Sequence, residues 1–308
     1  MKKISGYYVN NNTSSQNSLK NNYNKIESIF PTGLEIKSDG TVINNLDENS
    51  IQFLKKYKNR EKIIPLIQNH KLKSQVSNEI VLNKKSWRRT FHELICFLKK
   101  YNFSNLNFNL EGIKKENQET FNLFIEYFAG IFHLAGYDLG FSVPAKTEDN
   151  NSEWAGAYDY TKLDQEVDEL IIMAYDYHWS RGNPGPIAPF SWVRDIIDYT
   201  LVTISRARVF LGIPCYGYDW IVGKDERARG LSHSQVRKII KTNGGNWEWD
   251  QESKTPYYKY EDEQGRHEIW FENKTSINKK LELVQQYQLA GAVFWRLGLE
   301  DPAIWNNF

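Results

Sequence analysis

The sequence contains very little sulfur. Among 308 residues there are two methionines and two cysteines, Cys96 and Cys215. Two cysteines are too few for a disulfide framework, and their separation does not match the ligand spacing of a structural zinc site. We therefore predict a fold that depends on side-chain packing and holds no metal.

Net charge and long apolar runs are also missing. The 39 Lys and Arg residues balance the 38 Asp and Glu residues, which leaves a formal charge of +1 and no overall field for nucleic acid or an anionic membrane. No apolar run approaches the roughly 18 residues of a membrane span, and the first segment, MKKISGYYVNNN, soon becomes polar. We predict cytoplasmic synthesis without a signal peptide, and no nucleic-acid or membrane partner.

Aromatic residues, in contrast, are abundant. They make up 14% of the chain and include 10 Trp and 18 Tyr. Flat rings with a polar edge suit surfaces that bind amphipathic ligands, and sugars are one such class.

Short β-rich segments alternate with longer amphipathic ones, which is typical of βαβ units around a parallel sheet. In a chain of this length the pattern favours a (β/α)8 TIM barrel, with a doubly wound sheet as the structural alternative; a barrel carries its active groups at the carboxyl ends of the strands. Eight segments are predicted to be strands: Ile4 to Val9, Ile26 to Phe30, Ile63 to Gln68, Leu106 to Glu111, Asp138 to Val143, Leu170 to Tyr175, Val209 to Ile213 and Ala292 to Trp295.

One region departs from this alternation. A helix-like segment, SHSQVRKIIKTN, is followed by GNWEWDQ, PYYKYED and HEIWFEN, with turn residues between them. We predict a small α+β insertion after the seventh strand, residues 219–274, within a monomeric barrel that spans residues 1–308.

The fourth predicted strand has a polar face. In FSNLNFNLEGI, apolar residues alternate with Asn107, Asn109 and Glu111, so these three share one face. In a barrel that face is the interior, where two amides and a carboxyl cost several kcal/mol to bury unless they are hydrogen-bonded. The alternative is an amphipathic strand with a solvated face.

This strand and three other segments resemble glycoside hydrolase family 18. The segments are MAYDYHW (173–179), GIPCYGYDW (212–220) and GAVFWRLGLEDP (291–302). The resemblance covers nearly the whole chain and is greatest to bacterial spore-associated N-acetylglucosaminidases, the cortex-lytic and sporulation-specific enzymes. It implies a TIM barrel, an N-acetylated glycan as partner and no cofactor.

The family's fourth-strand motif, D-x-x-D-x-D-x-E, aligns with Ser104, Asn107, Asn109 and Glu111. The resemblance implies that Glu111 is the catalytic acid and base, and Asn107 matches a replacement common in the spore subgroup. Ser104 and Asn109 depart from the motif.

Asn109 occupies the position of the Asp beside the acid. In this family the substrate acetamide oxygen attacks C1 while the Glu protonates the leaving oxygen. The neighbouring Asp accepts the acetamide N–H and stabilises the growing positive charge. An Asn brings no charge, and such preorganised electrostatics are often worth about 3 kcal/mol or more, so we expect a large loss of rate.

The resemblance also assigns Tyr175 and Asp176 to the acetamide site, and Trp295 to the aromatic floor under the cleaved sugar. Four further residues lie at predicted strand ends, where they either line the cleft or pack in the core: Tyr8, Asn69, Tyr216 and Trp179.

Two functions follow as alternatives. The first is an N-acetyl-β-glucosaminidase or chitinase-like hydrolase that acts on spore or cell-wall peptidoglycan or on chitin-like glycan, slowed by Asn109 and Ser104. The second is a catalytically inactive barrel that serves as a glycan-binding spore coat protein. The retained Glu111, Tyr175 and Asp176 favour the enzyme, and the predicted lack of an export signal fits association with the spore coat or cortex.

Overall fold

Strands and helices alternate through the described residues, 3–149 and 154–308, of a computed structural model. The strands are β1 (Ile4–Tyr8), β2 (Ile29–Pro31), β3 (Leu34–Ile36), β4 (Val42–Asn44), β5 (Leu66–Asn69), β6 (Asn105–Asn109), β7 (Asp138–Pro144), β8 (Glu169–Met173), β9 (Val209–Pro214), β10 (Tyr216–Ile221), β11 (Arg229–Ser232), β12 (Glu248–Asp250), β13 (Thr255–Asp262), β14 (Gly265–Phe271) and β15 (Gly291–Trp295). The α-helices are α1 (Thr13–Asn22), α2 (Glu48–Tyr57), α3 (Ser74–Leu82), α4 (Lys84–Tyr101), α5 (Gln118–Leu134), α6 (Tyr160–Glu166), α7 (Phe190–Thr203), α8 (His233–Asn243) and α9 (Lys274–Gln286).

Ten strands form a curled, mostly parallel sheet in the order β2-β1-β15-β9-β8-β7-β6-β5-β3-β4. Only β3 and β4 pair antiparallel within it. At the other end of the order, Ile29 of β2 forms a parallel bridge with Ile63, and the Ile64 amide donates to the Ile29 carbonyl at 2.9 Å. The protein is thus an α/β fold in which the curl of the sheet brings β2 to the segment before β5.

All eight predicted strands overlap strands of this sheet. The β3–β4 hairpin was not predicted, because three-residue strands are too short to give a period-two signal.

The strand β6 illustrates why these residues form a two-sided sheet. Phe108 is fully buried against α5, with its ring centroid 5.6 Å from that of Phe124 and 5.2 Å from that of Phe128. The alternate residues, Asn107 and Asn109, are directed to the inside of the curl. Burial of Phe108 between sheet and helix therefore fixes the register that turns both amides inward.

A second sheet lies between β9 and β15 in the chain. It has five antiparallel strands in the order β11-β10-β14-β13-β12. One face packs on α8 through a separate apolar cluster: Leu231, Val236, Tyr258, Ile269 and Phe271. By alternation along β10, Tyr216, Tyr218 and Trp220 lie on the opposite face.

A buried ion pair connects this second sheet to α9. Glu272 directly follows β14, and its carboxylate oxygens accept hydrogen bonds from Lys280 Nζ at 2.8 and 2.9 Å. Both side chains are almost completely buried, and Asn273 Oδ1 caps the helix by accepting from the Ser276 amide at 3.0 Å. The ion pair and the cap thereby connect the end of β14 to α9, the helix that precedes β15.

Within residues 3–149 and 154–308, no helix has the length and apolar character needed to cross a bilayer. The same residues contain no cluster of three or more His, Cys, Asp or Glu side chains suited to a metal ion.

Candidate active site

Glu111 lies just beyond the carboxyl end of β6, held from two sides. Its backbone amide donates to Asn69 Oδ1 at 2.9 Å, and Asn109 Nδ2 donates to its Oε1 at 2.8 Å. Burial raises the pKa of the Glu111 carboxyl, the Asn109 hydrogen bond opposes the rise, and the negative charge of Asp176 adds to it. A carboxyl whose pKa is raised in this way is suited to donate a proton.

Two hydroxyl groups, one on β7 and one on β1, form a hydrogen-bonded chain to Asn107 on the polar face of β6. Ser142 Oγ on β7 donates to Asn107 Oδ1 at 2.7 Å, and the Tyr7 hydroxyl lies 2.8 Å from Ser142 Oγ. Because a serine hydroxyl has one hydrogen, Tyr7 must be the donor to Ser142. Burial raises the pKa of Tyr7 well above its ordinary value, so this donor keeps its proton.

Two amide atoms on this face are buried without a hydrogen-bond partner among the described residues. They are Asn107 Nδ2, a donor, and Asn109 Oδ1, an acceptor. Leaving such groups unpaired costs about 1 to 3 kcal/mol each. Asn109 also donates from Nδ2 to Glu111, so its unpaired oxygen lies next to this carboxyl.

Asp176 follows β8 in a left-handed backbone conformation, with φ of 61°. Its Oδ1 accepts hydrogen bonds from the Tyr216 hydroxyl and, at 3.1 Å, from the Tyr218 hydroxyl, both on β10. Surrounding side chains raise the pKa of the Asp176 carboxyl by desolvation, although both tyrosines and the charge of Arg227 oppose the rise. Non-glycine residues in this strained region are frequent at functional sites.

Trp295, the last residue of β15, is fixed by two aromatic neighbours. Its ring is stacked with that of Tyr175, with 6.4 Å between centroids and 22° between planes, and the Tyr7 ring meets it edge-on at 4.9 Å. Burial raises the pKa of Tyr175 well above its ordinary value, and the charge of Glu111 adds to the rise. Glu111, Tyr175 and Trp295 are therefore neighbours at one end of the sheet.

The structure contradicts one predicted cleft residue. Tyr8 is 1% exposed, and its ring is stacked with that of Phe53 on α2 at 6.2 Å, between the sheet and the outer helices. Because side chains alternate along β1, it is Tyr7 that points into the curl.

Asn69 and Asn107 belong to the site without lining its surface, since both side chains are fully buried. Asn69 uses Oδ1 for the Glu111 amide and donates from Nδ2 to the Lys73 carbonyl at 3.0 Å. Tyr216 is also buried and reaches the site through its hydroxyl. Trp179, by contrast, lies on the loop after β8 and is 51% exposed.

Sequence reasoning missed Tyr7, Ser142, Tyr218 and Arg227. Ser142 and Tyr218 could have been found from the alternation of side chains along their strands. By that alternation Ser142 points to the inside of the curl, and Tyr218 lies on the face of β10 that carries Tyr216. Arg227 lies between β10 and β11 and has no periodic signal.

The raised pKa of Glu111 has a consequence for stability. The folded state binds the Glu111 proton more tightly than the unfolded state does. The free energy of unfolding therefore decreases as pH rises from the ordinary pKa of glutamic acid through the raised pKa of Glu111. Glu111→Gln keeps the shape and removes the ionisation. We expect this variant to exceed the parent in free energy of unfolding near pH 7, with the difference shrinking towards about pH 4, measured by urea denaturation.

The matched control is Glu116→Gln, at an exposed carboxylate on the following loop. It makes the same chemical change at a solvent-exposed position, and the pH dependence of Glu111→Gln is compared with it. Equal pH slopes for the parent and Glu111→Gln would contradict the prediction.

Comparison with known proteins assigns the chain to a family. The sequence profile described as Glycosyl hydrolases family 18 matches residues 3–300. The cortical fragment-lytic enzyme of Bacillus subtilis (strain 168) is 29% identical over 248 residues, which are 79% of this chain and 58% of that protein. The chain thus spans somewhat more than half the length of this relative.

Two solved structures are similar over almost the entire chain. The chitinase from Chromobacterium violaceum ATCC 12472 matches with a TM-score of 0.89 and 26% identity, covering 99% of this chain and 97% of that one. The spore cortex-lytic enzyme SleL of Bacillus megaterium QM B1551 has the same fold, with a TM-score of 0.89, 22% identity and coverage of 99% and 73%. The chain belongs to glycosyl hydrolases family 18.

Proposed function

We propose that this protein is an N-acetyl-β-glucosaminidase that hydrolyses N-acetylated glycan of the peptidoglycan or chitin type by substrate-assisted retention. The observation that carries the proposal is the Glu111 carboxyl, half-buried beyond the end of β6, with a raised pKa and the unpaired Asn109 Oδ1 next to it. Relatives named as a cortical fragment-lytic enzyme and a chitinase support this substrate class.

In the proposed reaction the substrate supplies its own nucleophile. The acetamide oxygen forms a bond to C1 while the bond from C1 to the leaving oxygen breaks, and Glu111 gives its proton to that oxygen. Water then attacks C1 and reopens the oxazolinium ring, and Glu111 recovers a proton from the water. Each step balances with groups of the chain, the sugar and water.

The other residues orient the acetamide. Asn109 Oδ1 is the acceptor for its N–H, and the Tyr175 hydroxyl, close to Trp295, is the donor for its carbonyl oxygen. The face of Trp295 supports the sugar ring, and Asp176 adds negative charge near the developing positive charge.

Asn109 lowers the rate for two reasons. It adds no negative charge beside the acetamide nitrogen. Its Nδ2 also donates permanently to Glu111 Oε1, and a hydrogen bond to a carboxylate stabilises the ionised form over the acid that must deliver a proton.

Ser104, unlike Asn109, lies far from Glu111. It is exposed before the first residue of β6, where its hydroxyl donates to Asn105 Oδ1 at 3.0 Å. Seven residues of extended chain, about 20 Å, separate it from Glu111. Any effect of Ser104 therefore passes through the strand, and we assign the rate limitation to Asn109.

We further propose that the curled sheet is a complete (β/α)8 barrel spanning residues 1–308, that the α+β segment 219–274 is an insertion in it, and that the protein is a monomer without a cofactor. The Ile29–Ile63 bridge supports closure between β2 and β5. The names of the Bacillus relatives support association with the spore coat or cortex.

The second candidate function is a glycan-binding barrel without turnover, and the Asn109–Glu111 hydrogen bond is the observation that favours it. The two candidates are separated by incubating the protein with a fluorogenic chitobioside. Release of the fluorophore by the parent, lost in Glu111→Gln, supports the enzyme. If both proteins bind chitooligosaccharide but release the fluorophore only at the background rate, the enzyme candidate is rejected.

An aspartate in place of Asn109, beside Glu111, should accelerate hydrolysis. We expect Asn109→Asp to raise kcat/KM on the chitobioside by about one to three orders of magnitude, at about 1.4 kcal/mol per tenfold. The added carboxylate restores charge beside the acetamide nitrogen and disfavours ionisation of Glu111, so the basic limb of the pH profile should move to higher pH.

The matched control is Asn107→Asp, the same change two residues earlier on the same face. It should not increase the rate, because Asn107 Oδ1 is already bonded to Ser142. If Asn109→Asp folds, binds sugar and turns over no faster than the parent, Asn109 is not what limits this site.

Sugar affinity should depend on Trp295. In a Glu111→Gln background, Trp295→Ala should weaken binding of chitotetraose by about 1 to 3 kcal/mol, measured by calorimetry; this is the scale found for nucleobases stacked on aromatic side chains. Trp247→Ala, at a partly exposed tryptophan before β12, is the control and should bind as the background does. Unchanged affinity in Trp295→Ala would place the sugar elsewhere.

A further inference from the structure

The loop between β10 and β11 is fastened to the loop that follows Asp176. The Ala228 amide donates to the Ser180 carbonyl at 2.6 Å, and Arg227 Nε donates to Ser180 Oγ at 3.1 Å. Ser180 is 4% exposed, so the anchor is buried although Arg227 itself is exposed. Because Ser180 follows Asp176 by four residues, the guanidinium is held at the rim of the candidate site.

The far edge of this guanidinium is open. Among the described residues, Nη1 and Nη2 of Arg227 have no hydrogen-bond or ion-pair partner, whereas Nη2 of Arg229 pairs with Asp219 at 2.8 Å. Arginine presents its N–H groups as a planar fork that matches the two oxygens of a carboxylate. Arg227 is thus positioned by one nitrogen and free to bind an anion with the other two.

The positive charge of Arg227 acts on groups of the candidate active site. Its positive charge opposes the rise in pKa of both Asp176 and Tyr218, whose hydroxyl donates to Asp176. Among the described residues Asp176 and Arg227 form no ion pair, and Asp176 Oδ1 accepts hydrogen bonds from two tyrosine hydroxyls instead.

We propose that Arg227 is a specificity-determining residue that binds a carboxylate substituent on the glycan. Chitin-like chains have no such group, whereas alternate sugars of peptidoglycan carry a lactyl ether whose carboxyl group is free where no peptide is attached to it. The substrate class favoured by Arg227 is therefore a muramic-type glycan with free lactyl carboxylates. This inference rests on the proposed function, since it assumes that a glycan occupies the site beside Asp176.

The test compares binding of three probes to the Glu111→Gln protein by calorimetry. The probes are a peptide-free tetrasaccharide of alternating N-acetylglucosamine and N-acetylmuramic acid, its lactyl methyl ester, and chitotetraose. We expect the free acid to bind about fivefold more tightly than the ester at low salt, as for an exposed charge-assisted pair, with the preference falling as salt rises.

Arg227→Gln should remove the preference for the acid, and Arg227→Lys should retain part of it, because an ammonium keeps the charge but not the fork. The matched control is Arg181→Gln, which removes the same charge from an exposed arginine adjacent to Ser180 and should keep the full preference. Each comparison is a ratio within one variant, so any effect of Arg227 on Asp176 cancels.

The outcomes separate this inference from the proposed function. If chitotetraose and the ester bind but the acid binds no better, or if Arg227→Gln keeps the preference, the assignment of Arg227 is wrong and the glycosidase proposal stands. If none of the three probes binds, both are rejected.

Discussion

The site depends on one buried carboxyl and on the hydrogen bonds that hold it. Glu111 is withdrawn from water at the end of a strand whose outer face is locked by aromatic packing on α5. Its backbone is held by Asn69 and its side chain by Asn109. Burial favours the protonated acid, whereas the donated hydrogen bond favours the carboxylate. The chemistry available to the protein follows from the balance between these two effects, because a proton donor must be protonated when the sugar arrives.

Asn109 affects both sides of that balance. Its amide nitrogen is engaged with Glu111 and its oxygen is buried without a partner in the described residues. The oxygen retains the geometry needed to accept an acetamide N–H, but an amide adds no charge to stabilise an oxazolinium ion. Under the proposed function, recognition of an N-acetylated sugar is therefore better preserved than its hydrolysis. This is why a slow hydrolase and a glycan-binding barrel both follow from the same geometry, with family membership and the retained acid favouring the hydrolase.

The second sheet matters to the site because two of its tyrosines reach across to Asp176. Tyr216 and Tyr218 share one face of β10, and the loop that follows this strand brings Arg227 to the same rim. The curled sheet thus carries Glu111 and Trp295, and the smaller sheet carries the tyrosines and the arginine near Asp176. The ion pair between Glu272 and Lys280 fixes the exit of the smaller sheet to α9 in a region that water does not reach, where a broken pair is costly.

The sequence by itself determined the α/β alternation, eight of the ten strands of the larger sheet and the inward face of β6, since strong period-two and helical patterns arise locally from burial on one side. The resemblance of sequence segments to glycoside hydrolase family 18 further predicted site roles for Glu111, Tyr175, Asp176 and Trp295, and these roles stay predictions. Only the tertiary structure decided between Tyr7 and Tyr8, because two adjacent tyrosines carry no information about which phase of the strand faces the interior. It also decided the roles of Asn69 and Arg227. Asn69 reaches the Glu111 amide from a neighbouring strand, and Arg227 meets Ser180 across 47 residues of sequence. Such contacts depend on how elements are packed together, and no local pattern of residues encodes them.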